Sequence, residues 1–353
     1  MKKMRVAIIG QGRSGRDIHG KHFLSKNNDN IEVVYVIDEI KERREKGEKT
    51  FGCKSLASYK DLFGKNNEVD VVVNASFSQQ HYAITKDLLN HGFNVLVEKP
   101  FSRTYKECKD LIKTAKKNGV TVVAFHQTLF GESYLNAKKF IESGKLGEIF
   151  QISLKYSGYA RRWDWQTLQK CCGGSVYNSG PHPIGQALEL LGWENKPKVI
   201  FSDMRTVITS GDAEDYGKIV LSCKGKPNVD LEICSVDAFA NDFVYKIYGS
   251  KGTLVSTHAH YKAKYVKLEE LEPKPVIETT LHDEDWNPQF CGETLPFIEE
   301  EGDLGDLDFD GAVKKFYDML YDTIMNGKPL KVTPEMGAEV IRVIETAHKI
   351  AGL

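Results

Sequence analysis

The sequence has no apolar run of the roughly 20 residues that a membrane-spanning helix requires. It also has no excess of either charge, because 48 lysines and arginines stand against 49 aspartates and glutamates. A formal net charge of −1 argues against nucleic acid or an anionic membrane as the main partner. The chain starts directly with a strand pattern and not with the apolar segment of a signal peptide, which predicts a cytoplasmic protein.

Cysteines are few and scattered. The seven cysteines contain no C-x-x-C pair, and Cys171 and Cys172 are the adjacent ones. This spacing argues against a zinc site, and a reducing compartment predicts free thiols. His258 and His260 alternate but have no set of Cys, Asp or Glu beside them, so solvent-facing histidines are favoured over a metal site. The sequence therefore predicts no bound metal.

A glycine loop carries the first functional signal. The apolar run Val6–Ile9 has the length of a strand buried on both faces, and Gly10, Gly12 and Gly15 follow it at the spacing G-x-G-x-x-G. Such glycines allow a tight turn, a close approach of the backbone to a pyrophosphate, and close packing of helix on strand. The residues we assign to the cofactor from this loop are Gly10, Gln11, Gly12, Arg13, Ser14 and Gly15.

A second apolar run ends in Asp38, about two dozen residues after the glycines. A carboxylate there can accept hydrogen bonds from both hydroxyls of an adenosine ribose and repels a 2′-phosphate, so NAD is favoured over NADP. Arg43 and Arg44 follow closely and soften this preference. The alternative interpretation is an aspartate that merely caps the strand end.

Strands alternate with helices through the first third of the chain. This order predicts a parallel, doubly wound sheet, in which the ligand lies beyond the carboxyl ends of the strands. Gly10, Asp38, Asn74 and Glu98 all fall at that edge. We expect a Rossmann domain over residues 1–125.

Beyond about residue 130, strands follow one another without intervening helices. The pattern predicts a mostly antiparallel open sheet and hence an α+β domain over residues 126–353, the whole chain being of the α/β class. The acidic, aperiodic segment 281–310 is interpreted as a long loop that folds over a site or an interface. Two helices close the chain, one over 310–326 and one that begins at Thr333 and Pro334.

Two side chains have the chemistry to handle a substrate hydroxyl. Lys99, between Glu98 and Pro100 at a strand end, can bind that hydroxyl, lower its pKa and stabilise alkoxide character. A surface lysine that balances Glu98 is the alternative. His182 follows Asn178 by one helical turn and can carry the released proton. A buried histidine bonded to a backbone carbonyl is the alternative there.

Together these motifs resemble the Gfo/Idh/MocA family, which includes glucose–fructose oxidoreductase and inositol 2-dehydrogenase. The resemblance covers nearly the whole chain, including the glycine motif, Glu98-Lys99-Pro100 and the glycine-rich segment ending at His182. It implies a Rossmann domain joined to a domain whose open sheet forms the interface of a homodimer or homotetramer. It also implies hydride transfer between NAD(P) and a secondary alcohol of a sugar or polyol, with Lys99 and His182 as catalytic residues.

The chain departs from the family's pattern at several positions. Asn178 stands where an aspartate is common, and an amide cannot raise the basicity of His182. Gly185 replaces a further aspartate, and Ser76-Phe77-Ser78 replaces the usual Thr-Pro-Asn. These changes put the usual proton relay in doubt, and His126 can supply part of what is missing. We still assign a catalytic role to Asn178, and the further cofactor contacts to Ser76, His81, Glu98 and Lys99.

The segment 159–165 mixes aromatic and charged residues and is our candidate for substrate recognition. Aromatic faces stack on sugars, while Arg and Asp pair with hydroxyls or a carboxylate. An amphipathic connector with its tryptophans in the core is the equally weighted alternative. The predicted substrate contacts are His126, Arg161, Trp163, Trp165 and Tyr177.

Three functions compete. The leading hypothesis is an NAD(P)-dependent dehydrogenase acting on a CH–OH group. The second is redox-neutral glycoside cleavage through a transient keto-sugar, suggested by Asn178 and the tryptophans. The third is a nucleotide-binding sensor without catalysis, and the presence of both Lys99 and His182 argues against it.

Overall fold

Six short strands form an entirely parallel sheet in the first third of the chain, as the alternation of strands and helices predicts. The computed structural model describes residues 2–240, 242–305 and 309–353. The strands are β1 (Met4–Ile9), β2 (Ile31–Ile37), β3 (Lys54–Leu56), β4 (Val71–Asn74), β5 (Val95–Val97) and β6 (Val122–Ala124). Their order across the sheet is β3-β2-β1-β4-β5-β6, that of a doubly wound dinucleotide-binding fold.

Helices cover this sheet. A π-helical segment, Ser14–Gly20, follows the glycine loop and continues into α1 (Lys21–Leu24). The next helices are α2 (Lys41–Phe51), α3 (His81–Asn90) and α4 (Tyr105–Asn118). The central strand β1 is apolar and almost wholly buried, as expected for a parallel strand covered on both faces. The carboxyl ends of the strands therefore gather at one edge.

A second sheet has eight strands. They are β7 (Ile149–Ser157), β8 (Lys198–Arg205), β9 (Tyr216–Ser222), β10 (Asn228–Cys234), β11 (Tyr245–Gly249), β12 (Gly252–Ser256) and β13 (His260–Tyr265), with β16 (Ile298–Asp303) at the edge; β14 (Leu281–His282) and β15 (Pro288–Gln289) form a separate short ladder. Across the large sheet the order is β16-β13-β12-β11-β7-β10-β9-β8. All neighbours pair antiparallel except β7 and β10, so the predicted mostly antiparallel sheet is confirmed.

Three helices lie along this second sheet: α5 (Glu132–Glu142), α6 (Ser175–Asn178) and α7 (Pro181–Leu191). The short helix α6 starts directly after Gly173 and Gly174. Proline at the first position of α7 suits a helix start, because its missing N–H would have no partner there. The two helices carry Asn178 and His182 towards the parallel sheet.

The prediction of one long loop over 281–310 was wrong in part. Residues 306–308 lie outside the described residues, but β16 falls within the segment and pairs with β13. Acidic residues of β16 face basic residues of β13, with Nζ of Lys264 2.6 Å from a carboxylate oxygen of Glu299. Cross-strand ion pairs of this kind leave no apolar periodicity, which is why the sequence pattern did not reveal the strand.

The predicted C-terminal helices are α8 (Phe309–Asn326) and α9 (Pro334–Ala351), and both return to the parallel sheet. The hydroxyl of Tyr321 donates to the carbonyl oxygen of Lys2 at 2.7 Å, and that of Tyr105 donates to Glu339 of α9 at 3.1 Å. Arg342 of α9 also donates to the carbonyl oxygen of Pro197, just before β8. Helix α9 thus contacts both halves, and the domain boundary at residue 125 stays a prediction. No helix of the described residues has the length and apolarity to cross a membrane.

Candidate active site

The three glycines of the loop after β1 differ in what a side chain would meet. At Gly10 the φ angle is 84°, and a Cβ would lie 2.4 Å from the carbonyl oxygen of Ala75. At Gly15 a Cβ would lie 1.8 Å from the carbonyl oxygen of Gly10. At Gly12 a Cβ would meet nothing within 4 Å. Two glycines therefore fold the loop, while the third borders open space in which phosphate oxygens can lie.

Asp38 follows β2, and its carboxylate closes onto the glycine loop. Oδ2 accepts the backbone N–H of Gln11 at 2.8 Å, and Oδ1 accepts that of Ile40 at 2.9 Å. Nη1 of Arg43 lies 3.7 Å from Oδ2. Arg44 instead donates to the backbone carbonyls of Asp38 and Glu39. One arginine is thus near the carboxylate, whereas the other is held by the backbone.

The other loop residues assigned to the cofactor are placed differently. The side chain of Gln11 is buried, and its amide donates to the carbonyl oxygen of Ile8 at 3.4 Å. Ser14 is the first residue of the π-helical segment, and Arg13 is exposed. Burial lowers the pKa of Lys99, and the charge of Arg13 adds to this lowering.

A buried amide fixes the loop after β4. Oδ1 of Asn74 accepts the hydroxyl of Ser76 at 2.7 Å, and its Nδ2 donates to Oγ1 of Thr85 at 3.0 Å. His81 is buried, with Nδ1 2.7 Å from the carbonyl oxygen of Pro100 and Nε2 3.2 Å from that of Ser76. These contacts tie the loop after β4 to the loop after β5. His81 therefore shapes the edge of the sheet, with both ring nitrogens facing backbone oxygens.

Lys99 reaches from the end of β5 to the second half of the chain. Its Nζ donates to the carbonyl oxygen of Asn178 at 2.7 Å and to Oδ1 of the same residue at 3.2 Å. Burial lowers the pKa of Lys99, while the charge of Glu98 raises it. An ammonium has three N–H groups, so one remains for a ligand. Lys99 is half-buried and bonded to amide oxygens, which is not the arrangement of a surface lysine paired with Glu98.

Glu98 makes no ion pair with Lys99 Nζ within the described residues and belongs to a buried polar chain that the sequence did not reveal. Its Oε1 lies 3.0 Å from Nε2 of His19, and Nδ1 of His19 lies 2.7 Å from the hydroxyl of Tyr317 on α8. Its Oε2 accepts the backbone N–H of Lys99 at 3.0 Å. Burial alone would raise the pKa of Glu98, but the hydrogen bond from His19 and the charges of His19 and Lys99 lower it to about 2. Glu98 thus holds the backbone of Lys99, and each of its carboxylate oxygens has a partner within the protein.

His182 is half-buried on α7. Its Nδ1 lies 3.3 Å from Oγ1 of Thr128, and among the described residues its Nε2 has no hydrogen-bond partner. Burial, together with the charge of Lys99, lowers the pKa of His182 to about 3. The imidazole is therefore neutral near pH 7, and its Nε2 is the ring nitrogen left without a protein partner within the described residues. This is not the carbonyl-bonded core histidine of the alternative interpretation.

Two predicted substrate contacts lie away from the open cleft. His126 is 3 % exposed and borders a closed cavity of about 10 Å³ beside Gly185, and burial lowers its pKa to about 4. Neither ring nitrogen of His126 has a hydrogen-bond partner among the described residues. The hydroxyl of Tyr177 donates to the carbonyl oxygen of Arg103, and its ring lies 4.9 Å from that of His348 on α9. The sequence alone could not show where the side chains of His126 and Tyr177 point.

Beside α6 and α7, the second sheet forms an open cleft of about 240 Å³. The ring of Tyr156, which lines this cleft, lies 6.5 Å from that of His182. His258, which the sequence predicts to face solvent, is half-buried in the turn between β12 and β13 and lines this cleft, and its ring lies 5.8 Å from that of Tyr156. The polar and small residues that line the cleft are Lys155, Tyr156, Ser157, Gly158, Ala160, Ser179, Cys234, Ser235 and His258.

The segment after β7 divides into exposed and packed residues. Arg161 is exposed and Trp163 is 78 % exposed, so neither is in the core. Trp165 is half-buried, and its ring lies 5.0 Å from that of Phe77 in the loop after β4. This aromatic contact joins the two halves of the chain near the site.

The described residues contain no group of three or more His, Cys, Asp or Glu side chains placed to hold a metal ion. Nδ1 of His260 lies 3.1 Å from Asp303, which gives that histidine a partner on β16. The cysteines of the described residues are all free thiols.

Family models match both parts of the chain. Residues 4–126 match a model described as an oxidoreductase family with an NAD-binding Rossmann fold. Residues 134–255 match a model described as the GFO/IDH/MocA C-terminal domain. The two matches together cover well over half of the sequence.

Named relatives extend these matches. The scyllo-inositol 2-dehydrogenase (NADP(+)) IolW of Bacillus subtilis is 24 % identical over 350 residues, which are 98 % of this chain and 92 % of the relative. A 2,7-anhydro-N-acetylneuraminate hydratase of Escherichia coli is 27 % identical over 192 residues, 54 % of this chain and 50 % of that protein. The solved structure of yvaA from Bacillus subtilis has a TM-score of 0.77 at 21 % identity, covering 99 % of this chain and 98 % of that one. This structural likeness supports the fold.

Proposed function

Because this chain belongs to the Gfo/Idh/MocA family of NAD-binding oxidoreductases, we propose that it transfers a hydride between a nicotinamide cofactor and a secondary alcohol of a sugar, sugar derivative or cyclitol. The observation that carries this proposal is the contact between Lys99 Nζ and Asn178 at 2.7 Å. It brings a cation from the parallel sheet to a point one helical turn before His182. Lys99, a cation that polarises the substrate oxygen, and His182, a neutral imidazole that accepts a proton, can then act on the same substrate.

The parallel sheet fits a dinucleotide. Gly12 leaves open space beside the backbone, and Asp38 presents a carboxylate at the end of β2. When bound, the nicotinamide ring accepts or returns the hydride. We expect a preference for NAD, because the Asp38 carboxylate repels a 2′-phosphate and Arg44 is already held by backbone carbonyls. Arg43 works against this preference, and the Bacillus relative carries NADP(+) in its name.

The side chains around Lys99 have separate tasks. The remaining N–H of the Lys99 ammonium donates to the substrate oxygen and lowers the pKa of that hydroxyl. Nε2 of His182 takes the proton, while Thr128 holds the opposite nitrogen. Asn178 orients Lys99 through two oxygens, and its side-chain oxygen also accepts from Gln166 at 3.2 Å. An amide there carries no charge to stabilise the imidazolium.

A paired assay tests this reaction. The purified protein is incubated with NAD or NADP and a panel of sugars, glycosides and cyclitols, and reduced nicotinamide and organic product are measured together. We expect stoichiometric reduced nicotinamide and a keto product. The matched variant His182→Asn should bind the cofactor normally and lose about a hundredfold in kcat. Cofactor binding without reduced nicotinamide across the whole panel would contradict net dehydrogenation.

Redox-neutral chemistry is the second candidate function. One relative is named a hydratase, and addition of water involves no net oxidation. In this candidate reaction the substrate carbon would give its hydride to the nicotinamide, the neighbouring C–H would lose its proton and the substituent would leave with a proton. Water would then add to the resulting double bond, and the hydride would return to the carbonyl carbon, so that the cofactor ends unchanged. The same assay then yields cleaved or hydrated product without reduced nicotinamide.

Three further predictions follow from the family resemblance and the composition. We expect a homodimer or homotetramer, a cytoplasmic location, and a sugar or polyol as the small-molecule partner. Light scattering on the purified protein checks the first of these.

A further inference from the structure

The geometry points to a neutral-polyol subsite in the cleft beside His182, in which His258 and Ser179 bind hydroxyl groups of an uncharged part of the substrate. This inference rests on the proposed function, because it names the substrate class for the same site. It concerns residues of β7 and β10, of the segments that follow β7, α6 and β10, and of the turn between β12 and β13, and no residue of the parallel sheet.

The only lysine lining the cleft among the described residues is already neutralised. Nζ of Lys155 lies 2.6 Å from Asp237 Oδ2 and 2.9 Å from Asp242 Oδ1. Asp237 also accepts the hydroxyl of Ser157 at 2.9 Å. A carboxylate or phosphate in this cleft would therefore have to compete with two protein carboxylates for one ammonium. The electrostatics favour an uncharged ligand.

Most other polar groups of the cleft have protein partners. The hydroxyl of Tyr156 donates to Oε1 of Gln186 at 3.3 Å, and that of Ser235 lies 2.9 Å from the hydroxyl of Ser175. Within the described residues, the hydroxyl of Ser179 and the imidazole of His258 make no hydrogen bond. These two groups are consequently the ones available to a ligand.

The chemistry of His258 suits a hydroxyl. Burial lowers the pKa of His258, and no charged group contributes to that shift among the described residues. A neutral imidazole offers one donor and one acceptor, as a hydroxyl does, so each can satisfy the other. The serine hydroxyl has the same dual character.

The position of His258 links this subsite to the reacting centre. The ring of Tyr156 lies 6.5 Å from that of His182 and 5.8 Å from that of His258. An aromatic face there can cover the C–H face of a sugar or cyclitol ring. A ring bound at His258 thus extends along Tyr156 towards the proton acceptor, and Ser179 follows Asn178 directly.

Matched ligand pairs test the charge preference. Binding to the NAD-loaded protein is measured by calorimetry for glucose against glucuronate, galactose against galacturonate, and myo-inositol. We expect a neutral ligand to bind at least about tenfold more tightly than its acid, since a carboxylate in the cleft would lie beside Asp237 and Asp242 without a free ammonium. Tighter binding of the acids would overturn the inference. Absence of binding by every neutral ligand, up to its limit of solubility, would overturn it as well.

Matched histidine variants test the residue. His258→Gln should weaken binding of the preferred neutral ligand about tenfold, because one hydrogen-bond partner is altered. His260→Gln is the control, since His260 lies two residues away and is paired with Asp303. If His258→Gln is poorly folded, Ser179→Ala replaces it, with an expected loss of about threefold to tenfold. Equal affinities for wild type and the cleft variants would contradict the assignment.

The failures of the two proposals can be told apart. If neutral ligands bind more tightly but no hydride is transferred, the proposed reaction is contradicted and the subsite is supported. If acidic sugars are oxidised and their KM is the same in His258→Gln as in wild type, the proposed reaction is supported and the subsite is contradicted.

Discussion

The two walls of the candidate active site are built differently: the carboxyl edge of the parallel sheet forms one, and the cleft of the second sheet forms the other. On the wall formed by the parallel sheet, Asn74, His81 and Glu98 are buried and their polar atoms are bonded within the protein. On the opposite wall, Ser179 and His258 make no hydrogen bond within the described residues. The bonded wall fixes the position of Lys99, whereas the open wall offers groups to a ligand. We infer that the parallel-sheet wall positions the groups that react, whereas the wall formed by the second sheet selects the substrate.

The largest effect is expected at Gly15, in the glycine loop of the parallel-sheet wall. Gly15→Ala places a Cβ 1.8 Å from the carbonyl oxygen of Gly10, so the loop cannot keep its shape and both folding yield and NAD binding should be lost. Gly12→Ala is the control, because its Cβ meets no protein atom within 4 Å. That variant should fold normally and lose NAD affinity. Differential scanning fluorimetry with and without NAD separates the two outcomes, and equal behaviour of both variants would contradict this account of the loop.

Glu98→Gln should give the next largest effect. A buried hydrogen bond to a charged group contributes about 1.5–3 kcal/mol, and Oε1 of Glu98 lies 3.0 Å from Nε2 of His19. The pKa of Glu98 falls from 4.5 to about 2 on folding, so its charge stabilises the fold above about pH 4.5 and this contribution is lost as the pH falls towards 2. In urea unfolding, the variant should be less stable than wild type at pH 7, with a gap about 1 kcal/mol smaller at pH 3.5. A gap independent of pH would contradict a lowered pKa of Glu98 in the folded protein.

A smaller effect is expected where the two walls meet. Trp165→Ala removes the ring that lies 5.0 Å from Phe77 and should lower the free energy of unfolding by about 1 kcal/mol. Trp163→Ala is its matched control, because Trp163 is 78 % exposed and should cost less than about 0.5 kcal/mol. Urea unfolding of the two variants measures the difference. Equal losses would mean that the contact between Trp165 and Phe77 does not join the halves.

The smallest effect is a gain in stability. Gly185 lies inside α7, where a Cβ would sit 3.7 Å from His126 Nδ1 and from Val340 Cγ2, which are ordinary contacts. Gly185→Ala should therefore raise the free energy of unfolding by about 0.5–1 kcal/mol. Gly180→Ala is the contrasting variant, because its Cβ would lie 2.3 Å from the carbonyl oxygen of Val176. A loss of stability in Gly185→Ala would show that the small cavity beside His126 cannot take a methyl group.

The sequence predicts the parallel-sheet wall of the site better than the wall formed by the second sheet. The glycine spacing, the acid after β2 and the strand alternation all reflect local patterns, so the parallel sheet and the position of Asp38 could be predicted. The proximity of Lys99 to Asn178, 79 positions apart, followed from the family resemblance and not from any local pattern.

Long-range contacts are what the sequence does not reveal. His19 and Tyr317 are 298 positions apart, and nothing in either segment indicates their hydrogen bond. His258 lines the cleft because a turn of the second sheet carries it there, and His126 is buried because α9 returns over it. Each of these outcomes depends on packing between distant elements, which periodicity does not encode.

The most direct test of the account compares Lys99→Met with wild type. Methionine keeps the length of the side chain and removes the cation that bonds Asn178. We expect kcat to fall about a thousandfold while the dissociation constant of NAD changes less than about threefold. Turnover near that of wild type in Lys99→Met would contradict the central claim that this lysine acts on the substrate oxygen.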